Sequence, residues 1–284
     1  MRLYLDHNAG APLRPEAREA MLAFLGPPAN PSSAHREGAR ARAALEAARA
    51  EVAALVGARL AEIVFTSGAT EANNLALRGA LGCRPAGGGL VTTAVEHASV
   101  LETARALATA GAPLTVVPVD GEGRVAAAEV LAACSAATAL VSVGLANGEV
   151  GSVAPVAAIA AGLRGRGILL HSDAAQAAGR LPIDVDGLGV DLLSVSAHKL
   201  GGPGGVGALY VRRGVRLAPQ LTGGPQERER RAGTENVAAI VGFGVAARVA
   251  RAEQAAASAV AEALVERLSA GLRARIPGVT RHGP

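Results

Sequence analysis

One lysine, Lys199, stands among 28 lysines and arginines in a chain of 284 residues, so arginine fills every other position that calls for a cation. The two side chains differ in chemistry: a guanidinium stays protonated, whereas an amine relieved of its proton forms a Schiff base with a carbonyl. Lys199 closes the run Val190-Asp191-Leu192-Leu193-Ser194-Val195-Ser196-Ala197-His198-Lys199, and Leu200-Gly201-Gly202-Pro203-Gly204-Gly205 follows. An apolar strand that stops at a polar cluster beside glycines is a place to hold a reactive amine. A composition that turned lysine into arginine and spared one by chance would explain the residue taken alone. The neighbourhood decides.

Three further clusters share that setting. In Thr66-Ser67-Gly68-Ala69-Thr70-Glu71 a strand gives way to a helix, and small residues there let backbone N–H groups and the hydroxyls of Ser67 and Thr70 surround a phosphate on the helix dipole. An ordinary helix cap is the plain alternative. In Leu170-His171-Ser172-Asp173-Ala174-Ala175-Gln176 an acid ends a buried strand, which is costly unless it is paired; a protonated pyridine nitrogen would pair it, and so would a cap on the next helix. In Thr92-Thr93-Ala94-Val95-Glu96-His97 the histidine follows a strand, where it could stack on a planar ring and move protons or simply be structural. Ser196 and His198, beside the lysine, are placed to bind phosphate. Each signal is weak alone and strong in this joint order.

Hydrophobic residues make up 50% of the chain but aromatics only 2%, with no Trp, so the core is built from Ala, Val and Leu and offers no stacking platform for nucleic-acid bases. A net charge of +4 is modest. Arg36, Arg40, Arg42 and Arg49 alternate with Glu37, Glu46 and Glu51, which reads as a solvated helix face rather than a nucleic-acid patch. Cys83 and Cys134 lack disulfide or zinc spacing and read as buried structural thiols, so no metal is expected. The N-terminus lacks a signal-like apolar stretch and no segment is apolar enough to span a membrane; a cytoplasmic protein without a membrane partner is expected.

Short apolar runs near residues 62–66, 89–93, 114–117, 139–143, 167–171, 191–194 and 207–211 alternate with helical patterns. Runs that are apolar throughout belong to strands buried on both faces. The expected fold is α/β, a mostly parallel seven-stranded sheet sandwiched by helices, with only the start of a second, smaller α+β domain. Its divisions are an arm over 1–15, a large domain over 16–250, and a connector helix with the beginning of the small domain over 251–284. The helical pattern from Asn236 to about Arg275 is interrupted by Gly242 and Gly244.

The series of motifs resembles the class V aminotransferase-like, fold-type I enzymes that use pyridoxal 5'-phosphate (PLP), and specifically the cysteine desulfurases. The segments that carry the resemblance are Tyr4-Leu5-Asp6-His7-Asn8-Ala9, Asn30-Pro31-Ser32-Ser33-Ala34-His35, FTSGATEANNLAL, VEH ending at His97, HSDAAQ, SAHKLGGPGGVGALYVRRG and GGPQERERRAGTENV. The resemblance implies that Lys199 holds PLP and shuttles protons, Asp173 bonds the pyridine nitrogen, and His97 stacks on the ring as acid-base. It further implies Gln176 at the ring hydroxyl, Asn147 facing the cofactor, and Ala69, Thr70, Ser196 and His198 at the phosphate. Thr234 matches a threonine that reaches the partner subunit's phosphate, which implies a homodimer. The implied reaction converts L-cysteine to L-alanine and passes sulfur to an acceptor, such as an iron-sulfur scaffold or a tRNA thiolation enzyme. A selenocysteine lyase, another class V enzyme and a non-catalytic paralogue acting as an interaction module share these motifs.

The departures are specific. Gly148 stands where the family usually has a second asparagine, Ala9-Gly10-Ala11 replaces Ala-Thr-Thr, and Gly223-Gly224-Pro225 replaces a triple glycine. No cysteine matches the family's mobile loop, whose thiol takes the sulfur, and the substrate-clamping arginine of the small domain has no counterpart. The expectation is a C-terminally truncated desulfurase with impaired turnover.

Overall fold

The computed structural model describes residues 3–28, 30–84 and 87–283; Met1 and Arg2 of the arm, Ala29 of the loop after the first helix, Pro85, Ala86 and Pro284 lie outside them. Seven strands form one sheet: β1 (Ile63–Thr66), β2 (Gly89–Thr93), β3 (Leu114–Val117), β4 (Thr138–Ser142), β5 (Leu169–Asp173), β6 (Leu192–Ser196) and β7 (Gly207–Val211). Their order is β1-β7-β6-β5-β4-β2-β3. The β2/β3, β2/β4, β4/β5 and β5/β6 pairs are parallel, and β7 alone is reversed against β1 and β6. The C-terminal ends of β1, β2, β4, β5 and β6 therefore share one edge of the sheet, where α/β folds place ligands.

Side chains alternate across a strand, and here both faces are apolar. Ile63, Phe65, Val91, Val141, Leu193 and Tyr210 enter one cluster, beneath α2 (Arg36–Val56), α6 (Val156–Leu163) and α8 (Val237–Arg275). Val64, Leu90, Leu140, Leu192 and Leu209 enter the other, beneath α3 (Ala69–Gly82) and α4 (Ala98–Thr109). Three smaller helices complete the set: α1 (Pro15–Leu22), α5 (Ala127–Ala132) and α7 (Val185–Leu188). Among the described residues no helix is long and apolar enough to cross a membrane.

Three expectations need correction. Arg49 is not on a solvated face: its side chain is 3% exposed, lies over the Phe65 ring, and pairs through both terminal nitrogens with the buried Glu227 at 2.7 and 2.8 Å. Glu227 also accepts the Phe65 N–H at 2.8 Å, so the pair pins β1 to the turn Gln226–Glu229, whose Glu227, Arg228 and Glu229 all adopt left-handed φ angles of 46°, 57° and 64°. Nor do Gly242 and Gly244 interrupt the helix, because α8 runs through both. A Cβ at Gly244 would fall 2.6 Å from the Ala48 Cα and one at Gly242 would fall 2.7 Å from Met21, so these glycines serve close packing of α8 on α2 and α1. Cys83 is exposed just past the end of α3, and Cys134 is half-buried with its Sγ donating to the Val130 carbonyl at 3.2 Å. The α8 helix is buried through Ala250 and exposed beyond it, with Val260, Leu264 and Leu268 open to solvent.

Removing one member of a fully buried ion pair strands the other charge, at about 3–5 kcal/mol. Arg49→Ala should lower unfolding stability by that amount in urea titration, several times more than Arg42→Ala on the exposed face of the same helix.

Candidate cofactor site

At the shared strand edge a cavity of about 780 Å³ opens, and nine of the ten expected site residues line it: Ala69, Thr70, His97, Asn147, Asp173, Gln176, Ser196, His198 and Lys199. Thr234 does not. It lies in a smaller pocket of about 210 Å³ that shares Ser67 and Gly205 with the cavity.

The anion cup is built by β1 and α3. The first amides of a helix have no intrahelical acceptor, so those of Ala69 and Thr70 point outward. The Ser67 N–H is committed instead to Glu71, at 2.8 Å, and Glu71 is in turn held by Arg231 at 2.9 Å. Against burial, which pushes it up, hydrogen bonds from Arg231 and Ser67 hold the Glu71 carboxyl below the usual range. On the far side of the cup Gly207 of β7 lets two backbones meet, since a Cβ there would sit 2.7 Å from Gly68. Ser196 Oγ lies 2.8 Å from His198 Nδ1 at the end of β6.

Lys199 follows in a short turn, its amine donating to the carbonyls of Asn8 and Ala9 in the arm. Burial and the Arg180 guanidinium bring that amine below the ordinary lysine value, against the pull of Asp173 and Asp6. Asp173, 8% exposed, ends β5. Burial pushes its carboxyl up, against hydrogen bonds from the Ala175 N–H at 2.9 Å and the Asn73 amide at 2.7 Å and against the charges of His97 and Lys199. The Asn73 Oδ1 is buried without a partner, a cost of about 1–3 kcal/mol.

Two residues take unexpected parts. The Asn147 side chain is occupied within its own turn: its oxygen accepts from the Glu149 and Val150 N–H groups and its nitrogen donates to the Val95 carbonyl at 3.2 Å, tying this loop to the one that bears His97. Gln176 fills the space that Gly148 leaves. A Cβ at 148 would fall 2.6 Å from Gln176 Nε2, and Gln176 bridges the Asn8 carbonyl and Arg180 at 3.0 Å each.

Sequence reasoning missed Glu96, Asn73, Asn8 and Arg180. Glu96 accepts from Thr93 Oγ1 at 2.6 Å and from the Gly144 N–H at 2.8 Å, clamping the exits of β2 and β4 together. Burial pushes it up to about 7, with Asp173 adding a smaller push. Its signal was its place beside His97 at a strand exit. Asn73 carried one too, three residues past Thr70 and so on the same helix face. His171 is structural: it sits between Ser142 and Ser194 at 2.8 and 3.0 Å, and burial pushes it down to about 3.

A phosphate cup, an amine and a buried acid at one sheet edge define a class. The pattern of the family "Aminotransferase class-V" matches residues 3–284, and the chain belongs to that family. Within it the relatives are cysteine desulfurases: a "Cysteine desulfurase" of Trichormus azollae is 43% identical over 282 residues, 99% of this chain and 70% of that protein. A solved "NifS-like protein" superposes with a TM-score of 0.92 at 39% identity over 96% of this chain and 76% of that one. A structure titled "SspA in complex with cysteine" superposes at 0.83 with 39% identity, over 87% and 72%. The chain spans 64–71% of the length of the curated relatives compared.

The family's cofactor is PLP, and the residues fit it. The cup offers free N–H groups to a phosphate, Lys199 offers an amine, and Asp173 is a buried acid with no ion-pair partner among the described residues, which a protonated ring nitrogen would supply.

Two outcomes follow. A carboxyl whose folded value is raised costs nothing where it is protonated in both states and penalises folding as pH rises from its unfolded value through its folded one. For Glu96 the window runs from about pH 4.5 to about pH 7. The stability of Glu96→Gln relative to wild type should rise by about 3 kcal/mol across it, in denaturation curves taken at stepped pH; the opposing rise from neutral His171 is common to both proteins and cancels. Gly148→Asn should displace Gln176, so a double-mutant cycle with Gln176→Ala should be non-additive by about 0.5–3 kcal/mol.

Proposed function

We propose that this chain forms the cofactor-binding body of a PLP-dependent cysteine desulfurase, which removes sulfur from L-cysteine, leaves L-alanine and passes sulfur to an acceptor protein of iron-sulfur assembly or tRNA thiolation. The observation that carries this reading is the convergence of Lys199, Asp173 and His97 on one cavity with a phosphate cup. Relatives named for this reaction, and the relative solved with cysteine, support it. When bound, PLP supplies an aldehyde for amines and a ring that draws electrons from the substrate.

The chain's own residues do the rest. Lys199, with its amine eased toward the uncharged form, attaches the cofactor and then carries protons at Nζ. Asp173 would keep the ring nitrogen protonated, His97 would cover the ring and exchange protons, and Gln176 would reach the ring hydroxyl. Ala69, Thr70, Ser196 and His198 hold the phosphate. Asn147 acts by shaping the loop. Thr234, outside this cavity, would complete the phosphate site of a second copy in a homodimer. The large domain would run over 16–250 behind the arm at 1–15, with the connector and start of the small domain over 251–284, in a cytoplasmic setting.

The sulfur-accepting thiol is neither cysteine of this chain. Cys83 follows the 14-residue α3 that begins at the cup, about 20 Å away at ~1.5 Å per residue, and Cys134 is turned into the fold. Turnover by residues 1–284 alone would accordingly be impaired.

The lone lysine makes the test unambiguous. Borohydride reduction after PLP loading should add one phosphopyridoxyl mass to wild type and none at residue 199 of Lys199→Ala, with Asp173→Ala loading more weakly. An equal adduct on Lys199→Ala would sink the assignment. Comparing alanine release from cysteine and selenocysteine separates a desulfurase from a selenocysteine lyase.

A further inference from the structure

His97 and Asp173 are joined by two side chains that have no part in the cofactor reading so far. Asn73, fully buried on α3, donates one amide hydrogen to Asp173 Oδ2 at 2.7 Å and the other to Ser99 Oγ at 2.8 Å. Ser99 Oγ lies 2.7 Å from His97 Nδ1, and the Ser99 backbone N–H donates to that same nitrogen at 3.1 Å. With a lone pair of Ser99 Oγ engaged by Asn73, the hydroxyl proton is free to turn to Nδ1. That nitrogen therefore faces two donors, and a proton on it would set N–H against N–H.

We propose that Asn73 and Ser99 are positioning residues that hold neutral His97 in the tautomer protonated at Nε2, so that the ring offers a proton, not a lone pair, at that atom. The proposal rests on the reading of His97 as the acid-base group of the cavity. It explains why the Asn73 Oδ1 goes without a partner. Turning the amide over would aim that oxygen at the Asp173 carboxylate, so the charge on Asp173 fixes the amide, the amide fixes the hydroxyl, and the hydroxyl fixes the ring. Neutral His97 thereby presents Nε2–H as a hydrogen-bond donor, and its lone pair stays on Nδ1, engaged by the Ser99 hydroxyl and N–H.

The test is a nitrogen-proton correlation spectrum of the full chain labelled with ¹⁵N-histidine, under conditions where His97 is neutral. The six histidines are sorted by the signal that His97→Gln removes. Wild type should carry its His97 proton on Nε2, with the Nδ1–H form undetectable. Ser99→Ala and Asn73→Leu should each raise the Nδ1–H form to a measurable fraction. A wild-type His97 protonated on Nδ1 overturns the proposal; so does an unchanged tautomer in both variants, which would leave the backbone N–H as the whole lock. If Asn73→Leu does not fold, Ser99→Ala carries the decision by itself. The spectra involve no turnover, so an inactive chain leaves the result standing, and a wrong tautomer leaves attachment at Lys199 standing.

Discussion

A charge taken out of water has to be met by donors or by an opposite charge, and that constraint organises this molecule. The core is Ala, Val and Leu on both faces of the sheet, with few aromatic groups and little internal polarity to spare. Into it the fold brings Asp173, Glu96, Glu227 and Arg49. Each is answered differently. Glu227 and Arg49 answer one another, Glu96 is met by a hydroxyl and a backbone amide, and Asp173 is met by an amide side chain and a backbone N–H with the charges of His97 and Lys199 farther off. Asp173 and Glu96 both line the cavity without an ion pair of their own, and a positively charged ligand atom would complete the set at Asp173.

The same requirement ties distant parts of the chain together. The Arg49–Glu227 pair links residues 178 positions apart, and its bond to the Phe65 N–H fixes the strand that leads into the phosphate cup. Three consecutive left-handed residues beside it cost roughly 1–2 kcal/mol each, and they persist because Glu227 is gripped from two sides. Glu96 does a similar service for the β2 and β4 exits, and Gly144 leaves it room, since a Cβ there would come within 3.2 Å of its oxygen.

How much of this was readable in the sequence depended on whether a residue's partners were local. The seven strands were legible within a few residues because runs buried on both faces leave a continuous apolar trace, and Lys199, Asp173 and His97 stood out at the ends of such runs. Arg49 was hidden because its helix alternates Arg and Glu, and only a partner far along the chain distinguishes it from its solvated neighbours. Asn73 was hidden for the same reason: an Asn-Asn pair on a helix looks like surface until α4 and β5 close over it. The glycines at 242 and 244 read as breaks when their function is contact. Gly148 read as a lost hydrogen bond, whereas its place is taken by Gln176.

The unbroken passage of α8 through those two glycines has a mechanical consequence. Its first turns are gripped by α1 and α2 up to Ala250, and three tethers follow, Arg251 on Glu51, Glu253 on Arg14 and Ser258 on the Arg180 carbonyl, so the 17 residues from 259 to 275 extend past the last of them. At ~1.5 Å per residue that length is about 25 Å, so a tilt of about 5° at Ser258 swings Arg275 by about 2 Å. The helix is thus a lever whose fulcrum is a pair of missing methyl groups, and filling either one would change the angle of everything it carries.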